Sequence, residues 1–244
     1  MRLYVKLTLF LLSAAAVFGQ LPPKQSVTVA LANTPTTDTA KEMTTLVRTV
    51  GQVTNVSYDE TRNSFSLTGF EHQLGLAAWL LHAAEKSVDS NGYVMEADLP
   101  IDSRTPVTRV HYLRNSERAN YQEILTLARV VGEIQFASGG VAPPMIAFRG
   151  TSAQAQLGDW LATNLDVPAG TGYSSFPLGT EDIVRIFFLN AGTQLPAVLD
   201  LREKVRRAMN TNRIFNKTSP PAIVVRGTAS ELSEAQKMIG AASQ

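Results

Sequence analysis

Two nine-residue segments share six of their nine residues: 143–151, Pro-Pro-Met-Ile-Ala-Phe-Arg-Gly-Thr, and 220–228, Pro-Pro-Ala-Ile-Val-Val-Arg-Gly-Thr. An internal repeat constrains a fold more than any single residue does, because the whole chain must then be built from copies of one supersecondary unit. A third, more diverged copy lies at 63–69, Asn-Ser-Phe-Ser-Leu-Thr-Gly. Each copy opens with a short apolar run ending in Leu (27–31, 110–113 and 186–189). From that Leu to the closing Gly is 38, 37 and 38 residues, and from Gly to the Trp of the following helix is 10 residues in both copies that carry one, Gly69 to Trp79 and Gly150 to Trp160.

Within each copy the period of the apolar residues names the elements. Ala40, Met43, Val47 and Val50 form one helical stripe that stops at Gly51. Ile124, Leu127, Ala128 and Val131 repeat the stripe before Gly132, and Asn120 with Glu123 fits a capping box at its start. In the third copy Pro196 suits a first helical turn, and Leu201, Val205 and Met209 recur at four-residue steps. Two strands follow; in the first copy these are 53–58 and 64–68, with Phe65 and Leu67 alternating with polar neighbours as in a half-buried strand. Gly-Thr then leads into a second helix, with Thr151 and the Thr228/Glu231 pair placed as N-caps. The expected fold is α+β: three tandem β-α-β-β-α repeats, each a small sheet with two helices on one face. The repeats span 26–86, 106–167 and 183–244. The Gly-, Ser-, Asp- and Pro-rich stretches 87–105 and 168–182 are expected to be flexible linkers.

Tandem units of this order, with Asp-x-x-x-Asn-x-φ-x-φ-x-Gly before the last helix, resemble the periplasmic N-terminal domains of bacterial secretins. Here the motif is Asp59, Asn63, Phe65, Leu67 and Gly69; copies two and three keep the apolar strand and the Gly but lose the Asp and Asn. The resemblance covers about 26–244. It implies a KH-like or ferredoxin-like fold and units that assemble side by side into rings, guiding substrates or docking inner-membrane machinery. The β-rich gate domain that follows such units in secretins has no counterpart before Gln244, so an accessory ring or docking protein is expected rather than a self-sufficient secretin.

The first 19 residues read as a secretory signal peptide. Arg2 and Lys6 precede an apolar run, 7–17, broken only by Thr8 and Ser13, and Val17 and Gly19 suit a cleavage site. The run is short for a bilayer span, so cleavage, export to the periplasm and no remaining membrane span are expected. The chain has no cysteine, which leaves no disulfide, thiolate metal site or lipid-bearing Cys.

No chemistry announces itself. His72, His82 and His111 have no second ligand at metal spacing and read as surface or boundary residues. There is no Gly-x-Ser-x-Gly elbow, phosphate-binding loop or Gly-x-x-Gly RNA clamp. Ser152, after Gly-Thr, belongs to a repeated helix cap. The expectation is therefore no enzyme, no cofactor, no metal and no nucleic-acid partner. Trp79 and Trp160 read as core, and Arg149 and Arg226, at one repeated position, as cover for a sheet edge.

Charge is uneven. Residues 26–86 carry four basic and six acidic side chains, whereas 183–244 carry nine and four. Arg202, Arg206, Arg207 and Arg213 concentrate the positive end, and are the candidate partner-binding residues. The function expected is that of a non-catalytic envelope interaction or scaffold protein, accessory to secretin-type secretion or pilus assembly, binding an envelope protein or itself. A periplasmic module for a small ligand or glycan is the alternative.

Overall fold

A computed structural model describes residues 23–86, 94–96, 106–115 and 117–242. The expected signal peptide lies outside these residues, as does 87–105 apart from 94–96. The first unit runs β1 (Gln25–Ala30), α1 (Thr37–Thr49), β2 (Asn55–Asp59), β3 (Ser64–Gly69), α2 (Glu71–Glu85), with antiparallel sheet order β1-β3-β2. The second runs β4 (Val94–Glu96), β5 (Val107–Tyr112), α3 (Arg118–Val130), β6 (Phe136–Val141), β7 (Pro144–Gly150), α4 (Ser152–Leu165), ordered β4-β5-β7-β6. The third runs β8 (Tyr173–Pro177), β9 (Asp182–Phe188), α5 (Leu195–Met209), β10 (Ile214–Lys217), β11 (Ala222–Thr228), α6 (Ala229–Ala242), ordered β10-β11-β9-β8. The α+β unit expected from the periodicity is present three times. Units two and three each gain a strand, β4 and β8, ahead of it, and β8 lies within the stretch 168–182 that is expected to be a flexible linker.

The units pack on one another through their sheets and helices. Along a strand, alternate residues face opposite sides of the sheet. Val110 and Tyr112 on β5, and Met145 and Ala147 on β7, share one core with the helices of unit one. The other face of that sheet, through Ile146 and Phe148, packs on its own helices α3 and α4. Those helices meet Val184, Ile186, Ala222 and Val224 of the third sheet, whose far face, with Phe187, Ile223 and Val225, packs on α5 and α6. Layers therefore alternate sheet, helices, sheet, helices, sheet, helices, and two apolar cores cross the joints. Fully burying one Val, Leu, Ile or Phe side chain contributes about 1.5–3 kcal/mol, so several such residues at each joint make a rigid stack favourable.

The first sheet differs. Its helix-facing side holds Val29, Phe65 and Leu67. Its other side presents Ser26, Thr28, Ser66, Thr68 and Ser57, none of them buried. That is why copy one alternates while copies two and three are apolar throughout: a sheet buried on both faces needs apolar residues at every position.

Candidate functional site

The Asp-x-x-x-Asn motif of the first unit builds the β2–β3 turn. Asp59 Oδ1 accepts from Thr61 N at 3.0 Å, Thr61 Oγ1 at 2.6 Å and Arg62 N at 3.2 Å. These bonds, Thr61's hydroxyl first, hold the Asp59 carboxyl below its ordinary range. Asn63 takes a left-handed conformation (φ 47°), donates to Leu31 O at 3.0 Å, and accepts from Tyr58 Oη at 2.9 Å. Asn is one of the few side chains that tolerates that backbone. Both residues serve the turn and the strand beside it.

The repeated arginines act across the joints rather than on a sheet edge. After its first helix each of units one and two turns through a left-handed residue, Gln52 (φ 58°) and Glu133 (φ 54°). The glutamine capping the second helix of the same unit holds that corner: Gln73 Nε2 donates to Gln52 O at 3.0 Å, and Gln154 Nε2 to Glu133 O at 3.1 Å. The arginine of the next unit then reaches back to it. Arg149 donates to Val50 O (3.0 Å) and Gln52 Oε1 (3.2 Å), and Arg226 to Glu133 Oε2 (3.0 Å) and Asp182 Oδ2 (2.9 Å). The first unit has Thr68 at this position, bonded to Ser26 at 2.9 Å. Partial burial pushes the Arg149 guanidinium below its usual value.

A second contact crosses each joint. Glu42 on α1 lies against Gly140 of β6 and pairs with Arg118 at 2.7 Å. Glu123 on α3 pairs with Lys217 of β10 at 3.2 Å and accepts from Thr218 N at 3.1 Å. Lys217 is fully buried and also donates to Asn120 Oδ1 at 2.7 Å, while Asn120 Nδ2 donates to Asp166 at 2.9 Å. Burial pushes the Lys217 ammonium below its usual value against the pull of Glu123. Asn120 and Glu123 are thus not the capping box that the sequence suggested. Helix α3 starts earlier, at Arg118 after the N-cap Glu117, so both residues lie inside the helix and face the joint. Thr151 and Thr228 do cap their helices, with Gln154 and Glu231 completing the boxes.

Of the four candidate cations, Arg202 donates to Asn216 at 3.0 Å. Arg206 and Arg207 share Glu203 at 2.8 and 2.9 Å, and hold its carboxyl at about 2. Arg213 bridges Asp182 and Glu133, both at 2.9 Å, beside Arg226. The structure splits them: Arg213 belongs to the joint between units two and three, and the other three lie on or beside α5, each with an acceptor of its own unit.

His111 is buried, not a boundary residue, and its Nδ1 lies 2.8 Å from Asp159 Oδ1, with Arg109 3.6 Å from the other oxygen. His72 and His82 are exposed. Trp160 is half-buried at the second joint, its ring 5.5 Å from Phe176 of β8, and Trp79 packs against the first core. Among the described residues no three His, Cys, Asp or Glu side chains cluster to hold a metal, and no helix is long and apolar enough to cross a membrane. Two hollows among the described residues are open grooves. One of about 350 Å³ lies between α1 and β2 with Lys41, Arg48 and Tyr58; another of about 470 Å³ lies between α5 and α6 with Leu201, Lys204 and Met238. Neither contains the His111–Asp159 pair.

No family model matches this chain, and neither does any curated protein. Solved structures are similar over most of the chain, secretins among them. A pilotin–secretin AspS–GspD complex from ETEC is 15% identical, with 91% of this chain and 38% of that one covered and a TM-score of 0.23. ExeD of Aeromonas hydrophila is 14% identical, with 89% and 40% covered and a TM-score of 0.21. The chain spans about two-fifths of the length of each. Superpositions this loose leave the function to be argued from the chain's own residues.

Proposed function

We propose that this chain is a non-catalytic interaction or scaffold protein of the bacterial envelope, exported to the periplasm and accessory to secretin-type secretion or pilus assembly. One observation carries the reading. Charged and polar groups that could have formed a site (Arg149, Arg226, Arg213, Lys217, Glu123) hold one unit to the next, so the molecule's polar chemistry maintains a rigid body. What that body offers to other molecules is surface: the hydroxyl face of the first sheet, the outer face of α5 and α6, and the cations of α5. Arg202, Arg206 and Arg207 remain the candidate partner contacts within that surface: the ion pairs of Arg206 and Arg207 with Glu203 contribute only about 0–1 kcal/mol and exchange readily for an anionic partner, and Arg202 is held by the neutral Asn216. The resemblance of the Asp59–Gly69 segment to secretin N-domains supports the secretion assignment.

The test is genetic and biochemical together. Deleting the gene in its host is expected to impair secretin-dependent export or piliation, and a tagged chain is expected to fractionate with the periplasm and to copurify with a component of that machinery. Intact secretion and piliation in the deletion strain, with the chain recovered from the cytoplasm, would overturn the proposal.

A further inference from the structure

The strands at equivalent places in the three units, β1, β5 and β9, do not have equivalent neighbours. β5 is paired on its outer edge by β4 and β9 by β8, both antiparallel. β1 pairs with β3 on one side, and among the described residues nothing pairs with its other side.

The direction of its free backbone groups follows from one hydrogen bond. Leu31 N–H donates to Asn63 O at 2.9 Å, as Leu113 does to Pro144 and Leu189 to Pro221 in the other units. Bonding direction alternates along a strand. Ser26, Thr28 and Ala30 therefore turn their N–H and C=O groups away from β3. In unit three the corresponding residue, Phe188, spends its outward N–H on Gly172 O of the β8 segment at 3.0 Å.

Natural edge strands are shielded by charge, proline or bulges. Within Gln25–Ala30 the edge lacks charge and proline, although Pro23 and Lys24 stand just before it. Val27 is 38% exposed.

We infer that β1 is a self-association edge whose occupant is β1 of a second copy, paired antiparallel about a two-fold axis with Thr28 opposite Thr28. The sequence is complementary to itself in that register. Val27 comes opposite Val29 of the second copy on the helix side, and Ser26 opposite Ala30 on the hydroxyl side, so every pair joins residues that already share a face. The outward groups of Ser26, Thr28 and Ala30 become the hydrogen-bonded rungs, and two three-stranded sheets become one of six. Stacking a second copy end to end is the poorer alternative. Both internal joints set an apolar sheet face on a helix pair, and the first sheet offers mainly hydroxyls there. The inference gives the proposed interaction role a defined surface, and rests on that role only for its meaning in the cell.

Because the chain has no cysteine, Thr28→Cys introduces a single thiol. A short thiol-to-thiol crosslinker should convert this variant to a covalent dimer, while Ser233→Cys, exposed on α6, should stay monomeric. Light scattering on the chain purified as its host makes it should give the mass of two copies. Thr28→Pro should halve that mass while the circular dichroism of the folded chain stays unchanged, since proline there removes only an outward N–H. Val27→Lys should do the same by charge repulsion across the edge. A wild-type mass of one copy up to the solubility limit, with Thr28→Cys left uncrosslinked, would overturn the inference. So would a dimer that persists in both edge variants, or a monomer that takes up an extended strand from another protein. None of these results bears on the secretion phenotype, so the two readings fail separately.

Discussion

The two joints of the stack share a geometry and differ in chemistry. In each, an acidic residue nine positions before the helix-ending Gly leans onto the third strand of the next unit: Glu42 before Gly51, Glu123 before Gly132. At the first joint the strand offers Gly140, and Glu42 finds its counter-charge in Arg118 near the surface. At the second joint the equivalent strand position is Lys217, and the counter-charge is fully buried. Glycine makes room for a carboxylate; lysine fills the room and supplies the charge. Both answer one requirement, that a carboxylate at a sheet–helix contact must be paired or wet.

Substitutions can break this comparison or sharpen it. The largest effect is expected from Tyr112→Ala at the first joint. It removes a buried ring and its hydrogen bond to Ala83 O at 2.9 Å, and should cost about 3–5 kcal/mol in urea unfolding. Hydrogen exchange should show protection lost in both α2 and β5. Next is Lys217→Met at the second joint, which leaves Glu123 and Asn120 short of a donor and should cost about 1–3 kcal/mol. Arg149→Met should cost about 1 kcal/mol, because its acceptors are a carbonyl and an amide rather than a carboxylate. The sharpest comparison is Gly140→Lys, which copies the second joint into the first. A Cβ at Gly140 would meet Glu42 Oε2 at 2.8 Å, the movable end of a side chain, so a stability change of no more than about 1 kcal/mol is expected in the same assay. The smallest effect lies outside the joints. Arg206 and Arg207 hold the Glu203 carboxyl at about 2, below its ordinary 4.5, so its contribution is complete above 4.5 and disappears as the pH falls towards 2. Glu203→Gln should lower the melting temperature slightly at neutral pH and leave it nearly unchanged near pH 2, which flattens that acid limb.

The elements themselves were legible. Apolar stripes at helical spacing placed the helices, and Gly-Thr placed the caps of α4 and α6. The stacking was written less plainly, in the contrast between Ser-Phe-Ser-Leu-Thr and the uninterrupted apolar runs Met-Ile-Ala-Phe and Ala-Ile-Val-Val. That signal means two buried faces, and it takes a partner layer to give it sense. The contacts that lock the layers were not legible. Asn120 and Glu123 have the spacing of a capping box, and only the earlier start of α3 turns them towards Lys217, 94 residues beyond Glu123. Arg213 looked like part of a basic patch, because nothing local shows that Glu133 and Asp182 lie against it. The β4 and β8 strands are not legible in the sequence because short pairings beside loops carry little periodicity.

The hydroxyl face of the first sheet gives the molecule a direction. A layer made wet on one side cannot be the middle of a pile, and Thr68 stands where the other units carry the arginine that would grip a predecessor. The first unit is therefore built as a terminus. The order of layers has one defined bottom step, and any growth by the same sheet-on-helix contact can proceed from the α5–α6 side alone.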